Sequence, residues 1–399
     1  MEGYDNSSDY QYDYDSDLPL EELIPVGLVY GATLLLGIIG NSLVIFSVSR
    51  YHQMKTITNT FLLSLASSDL LLVLVCIPVK FAGFFSYTWE FGEILCKGVH
   101  YVQNVSAICS VSTLTAMSLE RYYAILHPMR AKYSCTVGRA KKAIIALWVV
   151  SLVLAAPIIL GMEHVRVGTV RTGFWCIKQW PNPLLSKLYE IFMLCIILII
   201  PSIIMTFAYA SICKELWVVT RMSTFNESSG AEKHIPDVAR SCDGTPVHTG
   251  GSEKSPVIRV KKSADDDKTR KQVIKMLIAI IVVFVICWAP ILVNHVLIAF
   301  EILPFLHIGE YKHMREAFYV MAYANSCVNP IVYGFMSKNF RRTFKMALCR
   351  CLHGSQYVRE WTFRRQNSTP SRASHQAYNH STDAYEMSEY EYGTCKSDV

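Results

Sequence analysis

Charged residues are scarce in this sequence of 399 residues. Asp, Glu, Lys and Arg make up 18% of it, whereas a soluble domain carries about a quarter. The shortage is concentrated in long apolar runs, which argues against one large soluble core. Because a helix needs roughly 20 predominantly apolar residues to cross a bilayer, these runs predict a membrane protein.

Other features that the sequence lacks exclude further classes of protein. Residues 1–22 contain no Lys or Arg, so a cleavable signal peptide is not expected and the first apolar run would act as its own signal-anchor. The 13 cysteines contain no two facing CxxC motifs, which excludes a zinc ribbon. Clustered carboxylates, metal-spaced histidines and internal repeats are also lacking, which argues against a membrane enzyme or a transporter.

Seven apolar segments are long enough to cross a membrane. The predicted fold class is therefore an all-α membrane protein, a seven-transmembrane helix bundle with a short amphipathic eighth helix. The predicted spans cover residues 24–48, 60–85, 98–119, 143–162, 188–213, 273–300 and 317–335. The third and seventh are diluted by Ser, Thr, Asn and Tyr, and they are assigned partly from the motifs that they carry.

Four pieces surround or interrupt the bundle of residues 24–337. Residues 1–23 form an acidic N-terminal arm, and residues 221–268 are too rich in Ser, Gly and charge to bury a core, which predicts a disordered third cytoplasmic loop. Residues 338–351 predict an amphipathic helix, and residues 352–399 predict a disordered tail.

The amphipathic helix is predicted from the spacing of Phe340, Phe344 and Leu348. These apolar residues recur every four positions among basic ones, so they share one helix face that can lie on the inner membrane surface. Cys349 and Cys351 follow at once and are candidates for palmitoylation.

Basic residues set the expected orientation. They cluster between spans one and two, between three and four, before six and after seven, so these segments should be cytoplasmic. The N-terminus is then extracellular and the C-terminus cytoplasmic, in a multi-pass protein of the plasma membrane. The net charge of +6 reflects this topology and gives no support to nucleic-acid binding.

Two features lie on the predicted outer side. Asn6 begins an Asn-Ser-Ser sequon, which predicts glycosylation. Cys96, at the start of span three, and Cys176, in the loop after span four, would face an oxidising compartment, so a disulfide between them is expected to tether the outer loop over the bundle.

Asp69 is the only carboxylate within the second span. An isolated buried charge costs several kcal/mol, so it should be paired, protonated or bound to a cation. Ser110, Asn325 and Asn329 offer oxygens from other spans. One interpretation is an allosteric sodium site; the other is a hydrogen-bonded polar cluster without an ion.

Charged and helix-bending residues occur near the inner ends of the spans. Glu120 and Arg121 end span three and could form a surface pair of little energetic value, or hold helix ends together until a partner inserts. Pro201, Pro290 and Pro330 interrupt spans five, six and seven, where proline bends a helix. Trp288 lies two residues before the second of these prolines, which indicates a hinge.

Together these motifs resemble the rhodopsin family of G-protein-coupled receptors. The resemblance covers roughly residues 24–350. The matching residues are Gly40 and Asn41, Leu65–Asp69, Cys96, Glu120–Tyr122, Trp148, Pro201, Tyr209, Cys287–Pro290 and Asn329–Tyr333.

The resemblance implies roles in activating a heterotrimeric G protein. Arg121 would contact the C-terminal helix of the G-protein α subunit after span six moves outward, and Tyr209 and Tyr333 would stabilise that open state. Met129 would enter a pocket on the G protein. The residues assigned to coupling and activation are Glu120, Arg121, Tyr122, Met129, Tyr209, Phe284, Trp288, Pro290, Pro330 and Tyr333; Val111 and Pro201 match the family's packing triad with Phe284.

The expected ligand is an extracellular neuropeptide. Span seven has no lysine for retinal, and Gln103 stands where amine receptors of this family carry an aspartate. A glutamine there is similar to receptors for thyrotropin-releasing hormone, orexins and RFamide peptides. Residues 125–142 look most like the thyrotropin-releasing-hormone receptors, but Asn104, Ile291 and Tyr319 depart from that receptor's hormone-contacting pattern.

The candidate ligand-binding residues are Lys80, Gln103, Asn294, His295, Arg315, Tyr319 and Tyr323. Lys80, near the outer end of span two, could extend to lipid headgroups or, facing inward, bind a ligand carboxylate or carbonyl. The acidic arm could attract a basic peptide or only aid solubility.

The predicted function is therefore a peptide receptor that activates a G protein, with a Gq-type calcium response implied by the resemblance. It would be neither an enzyme nor bound to a cofactor other than the sodium ion. Arrestin is an expected partner, and Ser397–Val399 resembles a weak ligand for PDZ domains. A constitutively active or decoy receptor is the main alternative.

Overall fold

The computed structural model describes residues 20–84, 88–167, 172–228, 257–304, 311–337 and 340–347. The long helices are α1 (Leu20–Arg50), α2 (Ile57–Phe84), α3 (Gly92–Leu126), α5 (Val137–Ala155), α7 (Pro183–Leu194), α8 (Ile200–Ser228), α9 (Val257–Ala299) and α10 (Tyr311–Met336). The shorter elements are a 3-10 turn (His52–Met54), α4 (Pro128–Ser134), α6 (Ile158–Gly161) and the strands β1 (Met162–Val167) and β2 (Gly173–Lys178). A π-helical turn, Cys195–Ile199, joins α7 to α8.

Five helical segments of the described chain are long and apolar enough to span a membrane. They cover Ile24–Arg50, Ile57–Gly83, Val137–Gly161, Pro183–Val218 and Ile274–Ala299. The remaining two predicted spans correspond to α3 and α10, which are long helices diluted by polar residues, as the sequence indicates. Of residues 345–399, only the helical residues 345–347 are described.

Three boundaries differ from the predictions. α8 extends to Ser228 and α9 begins at Val257, so both helices enter the loop predicted to be disordered over residues 221–268. Residues 221–228 and 257–268 contain no Gly or Pro, and they can therefore continue the helical hydrogen bonding. α1 begins at Leu20, four residues inside the predicted arm.

The fold also contains a β-hairpin that an all-α prediction omits. β1 and β2 pair in antiparallel register, with Met162 opposite Lys178 and Val167 opposite Gly173. The backbone amide of Trp89 donates to the carbonyl of Phe174 at 2.6 Å, which attaches the hairpin to the α2–α3 connection. The hairpin's own cross-strand bonds satisfy backbone groups that a single extended loop would leave open.

Local signals explain where helices begin. The Thr136 hydroxyl accepts a hydrogen bond from the Arg139 amide at 3.3 Å, which caps α5. The Asn182 side chain accepts one from the Leu184 amide at 2.9 Å, and Pro183 occupies the first position of α7, where its missing N–H costs nothing.

Small residues allow α1 to approach its neighbours closely. A Cβ atom added at Gly40 would lie 2.9 Å from the Cβ of Pro330, and one added at Gly37 would lie 2.7 Å from Val73. The Asn41 side-chain amide donates to the carbonyl of Ser326 at 2.9 Å. These contacts fix α1 against α2 and α10 by the close backbone packing that membrane bundles favour.

The residues after α10 are partly described. Residues 340–347 are helical, within the predicted amphipathic segment. Phe340 is buried, its ring centroid 5.6 Å from that of Tyr333. Leu348, Cys349, Cys351 and the tail lie outside the described residues, as do Asn6 and the rest of residues 1–19.

Candidate ligand cavity and transmission residues

The hairpin is bound to the outer end of α3 by a covalent bond. Cys96 and Cys176 form a disulfide with a Cα–Cα separation of 5.7 Å, which confirms the predicted bond. Cys96 lies in the first turns of α3 and Cys176 in β2, opposite His164 of β1. The bond therefore fixes the hairpin beside the outer ends of the helices that carry the candidate ligand-binding residues.

Five of these residues form one connected polar group. Lys80 Nζ lies 3.1 Å from His100 Nε2 and 5.5 Å from the ring centroid of Tyr319. Tyr319 shares a hydrogen bond of 3.2 Å with His295 and stacks on Tyr323. The group thus joins α2, α3, α9 and α10.

Gln103 completes the group from α3. The Tyr323 hydroxyl donates to Gln103 Oε1 at 3.2 Å, and both side chains are buried. Gln103 lies seven positions after Cys96, two helical turns farther in. The neutral amide of Gln103 therefore accepts a hydrogen bond from a phenol inside the bundle.

Asn294 and Arg315 are the other two candidate ligand-binding residues, and both are buried. Asn294 is 3% exposed, and neither its side-chain oxygen nor its nitrogen has a hydrogen-bond partner in the described structure. A buried amide without partners is costly, which makes Asn294 available to a peptide amide. Arg315 begins the outer part of α10 and is 8% exposed; burial lowers the pKa of its guanidinium.

Glu190 is a site residue that the sequence reasoning missed. Asp69 was considered as a buried carboxylate from the sequence, but Glu190, which is a second one, was not. Glu190, in α7, has a side chain that is 5% exposed, with Oε1 at 2.6 Å from Lys178 Nζ and Oε2 at 3.9 Å from His295 Nδ1. A carboxylate inside predicted span five was the available signal.

Further missed contacts strengthen the outer ends of the helices. The Tyr30 hydroxyl donates to Glu316 at 3.2 Å, which links α1 to α10. The Asn104 side chain donates to the Tyr189 hydroxyl at 2.7 Å, which links α3 to α7. His100 could have been found from its position one turn after Cys96.

Asp69 lies at the centre of a second polar cluster, deeper in the bundle. It is 1% exposed. Its Oδ1 accepts hydrogen bonds from Ser110 at 3.3 Å and Ser326 at 3.1 Å, and its Oδ2 accepts one from Asn329 at 2.8 Å. Ser110 and Asn329 are thus where the sequence predicts them.

Asn325 differs from its prediction. The donor from that part of α10 is Ser326, the next residue, while Asn325 makes no hydrogen bond to Asp69 in the described structure. One residue corresponds to about 100° of helix rotation, so only one of the two can face Asp69. The side-chain oxygens of Asn41, Asn325 and Asn329 are nonetheless buried without donors.

The inner end of α3 carries an ion pair and is followed by the short helix α4. Arg121 Nε lies 2.9 Å from Glu120 Oε2, which also accepts from Thr58 at 3.4 Å. The Tyr122 ring lies 5.5 Å from that of Tyr123. In α4, Met129 is 74% exposed, so an apolar side chain is available to a partner on this side.

Buried aromatic residues of α9 lie between the connected polar group and the inner end of that helix. Trp288 stacks on Phe284 at 6.1 Å, and both are buried. Val111 and Pro201 are also buried. Pro290 and Pro330 lie inside continuous helices, where each removes one backbone hydrogen bond and permits bending.

Tyr209 and Tyr333 are buried side chains whose hydroxyl groups are poorly hydrogen-bonded. Neither hydroxyl forms a hydrogen bond of normal geometry with a described protein group, although the Tyr209 hydroxyl lies near Ser118. Buried polar atoms are otherwise nearly always paired. These two phenols are therefore suited to a rearrangement in which they gain partners.

The sequence is similar to a known receptor family and to individual peptide receptors. Residues 40–333 match the family model described as "7 transmembrane receptor (rhodopsin family)". The chain is 29% identical over 351 residues to the mouse pyroglutamylated RF-amide peptide receptor, covering 85% of this chain and 73% of that receptor. It is 32% identical over 347 residues to the human cholecystokinin receptor type A, covering 81% of this chain and 80% of that receptor.

Proposed function

The chain belongs to the rhodopsin family of seven-transmembrane receptors, and we propose that it binds an extracellular peptide and activates a heterotrimeric G protein. Family membership makes it a multi-pass membrane receptor rather than an enzyme. Both relatives described above are named for peptides, RF-amide and cholecystokinin. A peptide of one of these classes is the proposed ligand.

The connected polar group is the observation that carries this proposal. Lys80, Gln103, His295, Tyr319 and Tyr323 provide amide, phenol, imidazole and ammonium groups from four helices. Such mixed donors and acceptors suit a peptide terminus, which presents amide N–H and C=O groups. Asn294, whose buried amide has no partner, would pair with a further amide of the ligand.

Signal transmission would begin below this cavity. Trp288 and Phe284 stack one above the other in α9, next to the bend that Pro290 permits. We infer that ligand binding favours an outward movement of the inner half of α9. Arg121 would then contact the G protein, Met129 would enter its pocket, and Tyr209 and Tyr333 would gain hydrogen-bond partners.

Asp69 would hold the allosteric sodium ion when one is bound. The cluster fits the ion, because a carboxylate, two hydroxyl groups and unpaired amide oxygens are the hard ligands that such cations prefer. The ion would neutralise the buried carboxylate. The alternative, a polar cluster without an ion, would show no sodium dependence of agonist affinity.

The proposed topology follows the basic residues, with an extracellular N-terminus and a cytoplasmic C-terminus in the plasma membrane. Several features remain predictions from the sequence. They are Gq coupling, arrestin binding, a PDZ-domain partner at Ser397–Val399, glycosylation at Asn6 and palmitoylation at Cys349 and Cys351.

The acidic arm would accelerate the encounter with a basic peptide, and this acceleration should weaken as the salt concentration increases.

Intracellular calcium in cells that express the chain tests the proposal. The cells are treated with RF-amide and cholecystokinin peptides, each in its amidated and its free-acid form. At least one of these peptides should give a saturable calcium response. Gln103→Ala should reduce its potency at equal surface expression, because Gln103 contacts the centre of the polar group. Signalling of the same strength with no peptide present would instead favour the constitutively active receptor.

A further inference from the structure

Glu190 occupies an unusual position for a carboxylate. It lies in the apolar helical segment Pro183–Val218, and its side chain is 5% exposed. Removing such a group from water costs several kcal/mol unless it is paired. Glu190 cannot leave this environment, because α7 is fixed by the packing of Tyr189 and Met193 in the buried core.

Its partner is far less constrained. Lys178 is the last residue of β2, and its side chain is 22% exposed. Its Nζ also lies 5.6 Å from the ring centroid of Tyr189, but a lysine ammonium is strongly hydrated and is carried on a flexible stem, so hydration offsets part of the cost of its return to water. The ion pair therefore joins a fixed, buried anion to a cation that can be exchanged.

The geometry leaves part of the carboxylate available. Lys178 Nζ contacts Oε1 at 2.6 Å, whereas His295 Nδ1 lies 3.9 Å from Oε2, beyond hydrogen-bonding distance. A guanidinium has parallel N–H groups that can bond both oxygens of a carboxylate at once, which a single ammonium cannot do.

His295 connects this carboxylate to the polar group of the cavity. Its other ring nitrogen shares the 3.2 Å hydrogen bond with Tyr319. A ligand group at Glu190 would consequently lie beside residues proposed to contact the rest of the peptide. An unrelated surface ion pair would have no such connection.

We propose that Glu190 is the binding site for an arginine side chain of the peptide agonist, which displaces Lys178 from the carboxylate. This inference rests on the proposed function, since it assigns one subsite of the same cavity. Displacement would also remove one link between the end of β2 and α7, which remain in contact through the rings of Trp180 and Tyr189, 4.8 Å apart.

Matched peptides and receptor variants test the assignment. A panel of amidated peptides, including an RF-amide peptide, is prepared in pairs that carry either arginine or its neutral isostere citrulline. The wild-type receptor should prefer the arginine member by roughly 30-fold or more, the loss expected when one partner of a buried charge pair is neutralised. Glu190→Gln should abolish most of this preference.

The two partners of the ion pair should respond differently. Lys178→Met removes the internal competitor and should leave the arginine preference intact or increase it. If the ion pair were only a tether for the hairpin, Lys178→Met and Glu190→Gln would weaken both members of each peptide pair equally. That result would overturn the assignment.

A charge reversal keeps the test decisive if a single variant folds poorly. The double variant K178E/E190K retains an ion pair of opposite orientation, and it should prefer a peptide with glutamate in place of arginine. Retention of the arginine preference in this variant would contradict the proposal. Failure of every peptide on the surface-expressed wild type would refute the proposed function as well, whereas equal responses to arginine and citrulline would refute this inference alone.

Discussion

Replacing Tyr333 with phenylalanine is expected to stabilise the conformation described here and to suppress signalling. The Tyr333 side chain is 1% exposed, and no described protein group forms a hydrogen bond with its hydroxyl. Burying a hydroxyl without a partner costs about 1–3 kcal/mol. Phenylalanine fills nearly the same volume without that cost.

In the signalling state, Tyr333→Phe is expected to be destabilising. There the hydroxyl is proposed to gain a hydrogen bond, with a net value of about 1 kcal/mol, which phenylalanine cannot form. The two effects add, so the equilibrium between resting and signalling states should move toward rest by about 2–4 kcal/mol, which is at least a 30-fold change in their ratio.

Two assays on the purified receptor measure these effects. Thermal unfolding should show a higher midpoint for Tyr333→Phe, and basal nucleotide exchange on a G protein should fall. Tyr323→Phe is the matched control, because the Tyr323 hydroxyl donates to Gln103 at 3.2 Å, and its loss should lower the midpoint. A lower midpoint for Tyr333→Phe as well would refute the reasoning.

Three further changes have defined outcomes. Gly40→Ala places a Cβ 2.9 Å from Pro330 and should destabilise the receptor by about 1–3 kcal/mol, whereas Gly31→Ala meets nothing within 4 Å and should be neutral or stabilising in thermal unfolding. Asp69→Asn should remove any dependence of agonist affinity on sodium, measured by radioligand competition in sodium and in N-methylglucamine. Cys176→Ser should reduce surface expression and peptide potency in a cell-surface binding assay, since it releases the hairpin.

Much of the architecture was predictable because a helix that crosses a bilayer can be recognised in the sequence by its length and apolar composition. Five of the spans followed from these local signals, the other two needed their motifs as well, and the disulfide followed from the predicted topology. The neighbours of Asp69 were predicted less well, since the sequence does not fix the rotation of α10 closely enough to choose Ser326 over Asn325.

The remaining differences come from tertiary contacts. The hairpin was missed because its strand Met162–Val167 shows no clear alternation of apolar and polar residues, and its pairing closes only in the folded chain. The ion pair joins Lys178, at the end of strand β2, to Glu190 in α7, which lies 12 positions further along the chain. The helices extend to Ser228 and start at Val257 because residues 221–228 and 257–268 include no Gly or Pro. The prediction of a disordered loop rested instead on the polar composition of the whole segment 221–268.

Nucleotide exchange on a purified heterotrimeric G protein is the most direct test of the central claim. The receptor, purified and placed in lipid nanodiscs, is mixed with the G protein and with the peptide that is most active in cells. The account predicts peptide-dependent, saturable exchange that Gln103→Ala weakens. Exchange that is unchanged by any peptide, with a correctly folded receptor, would contradict it.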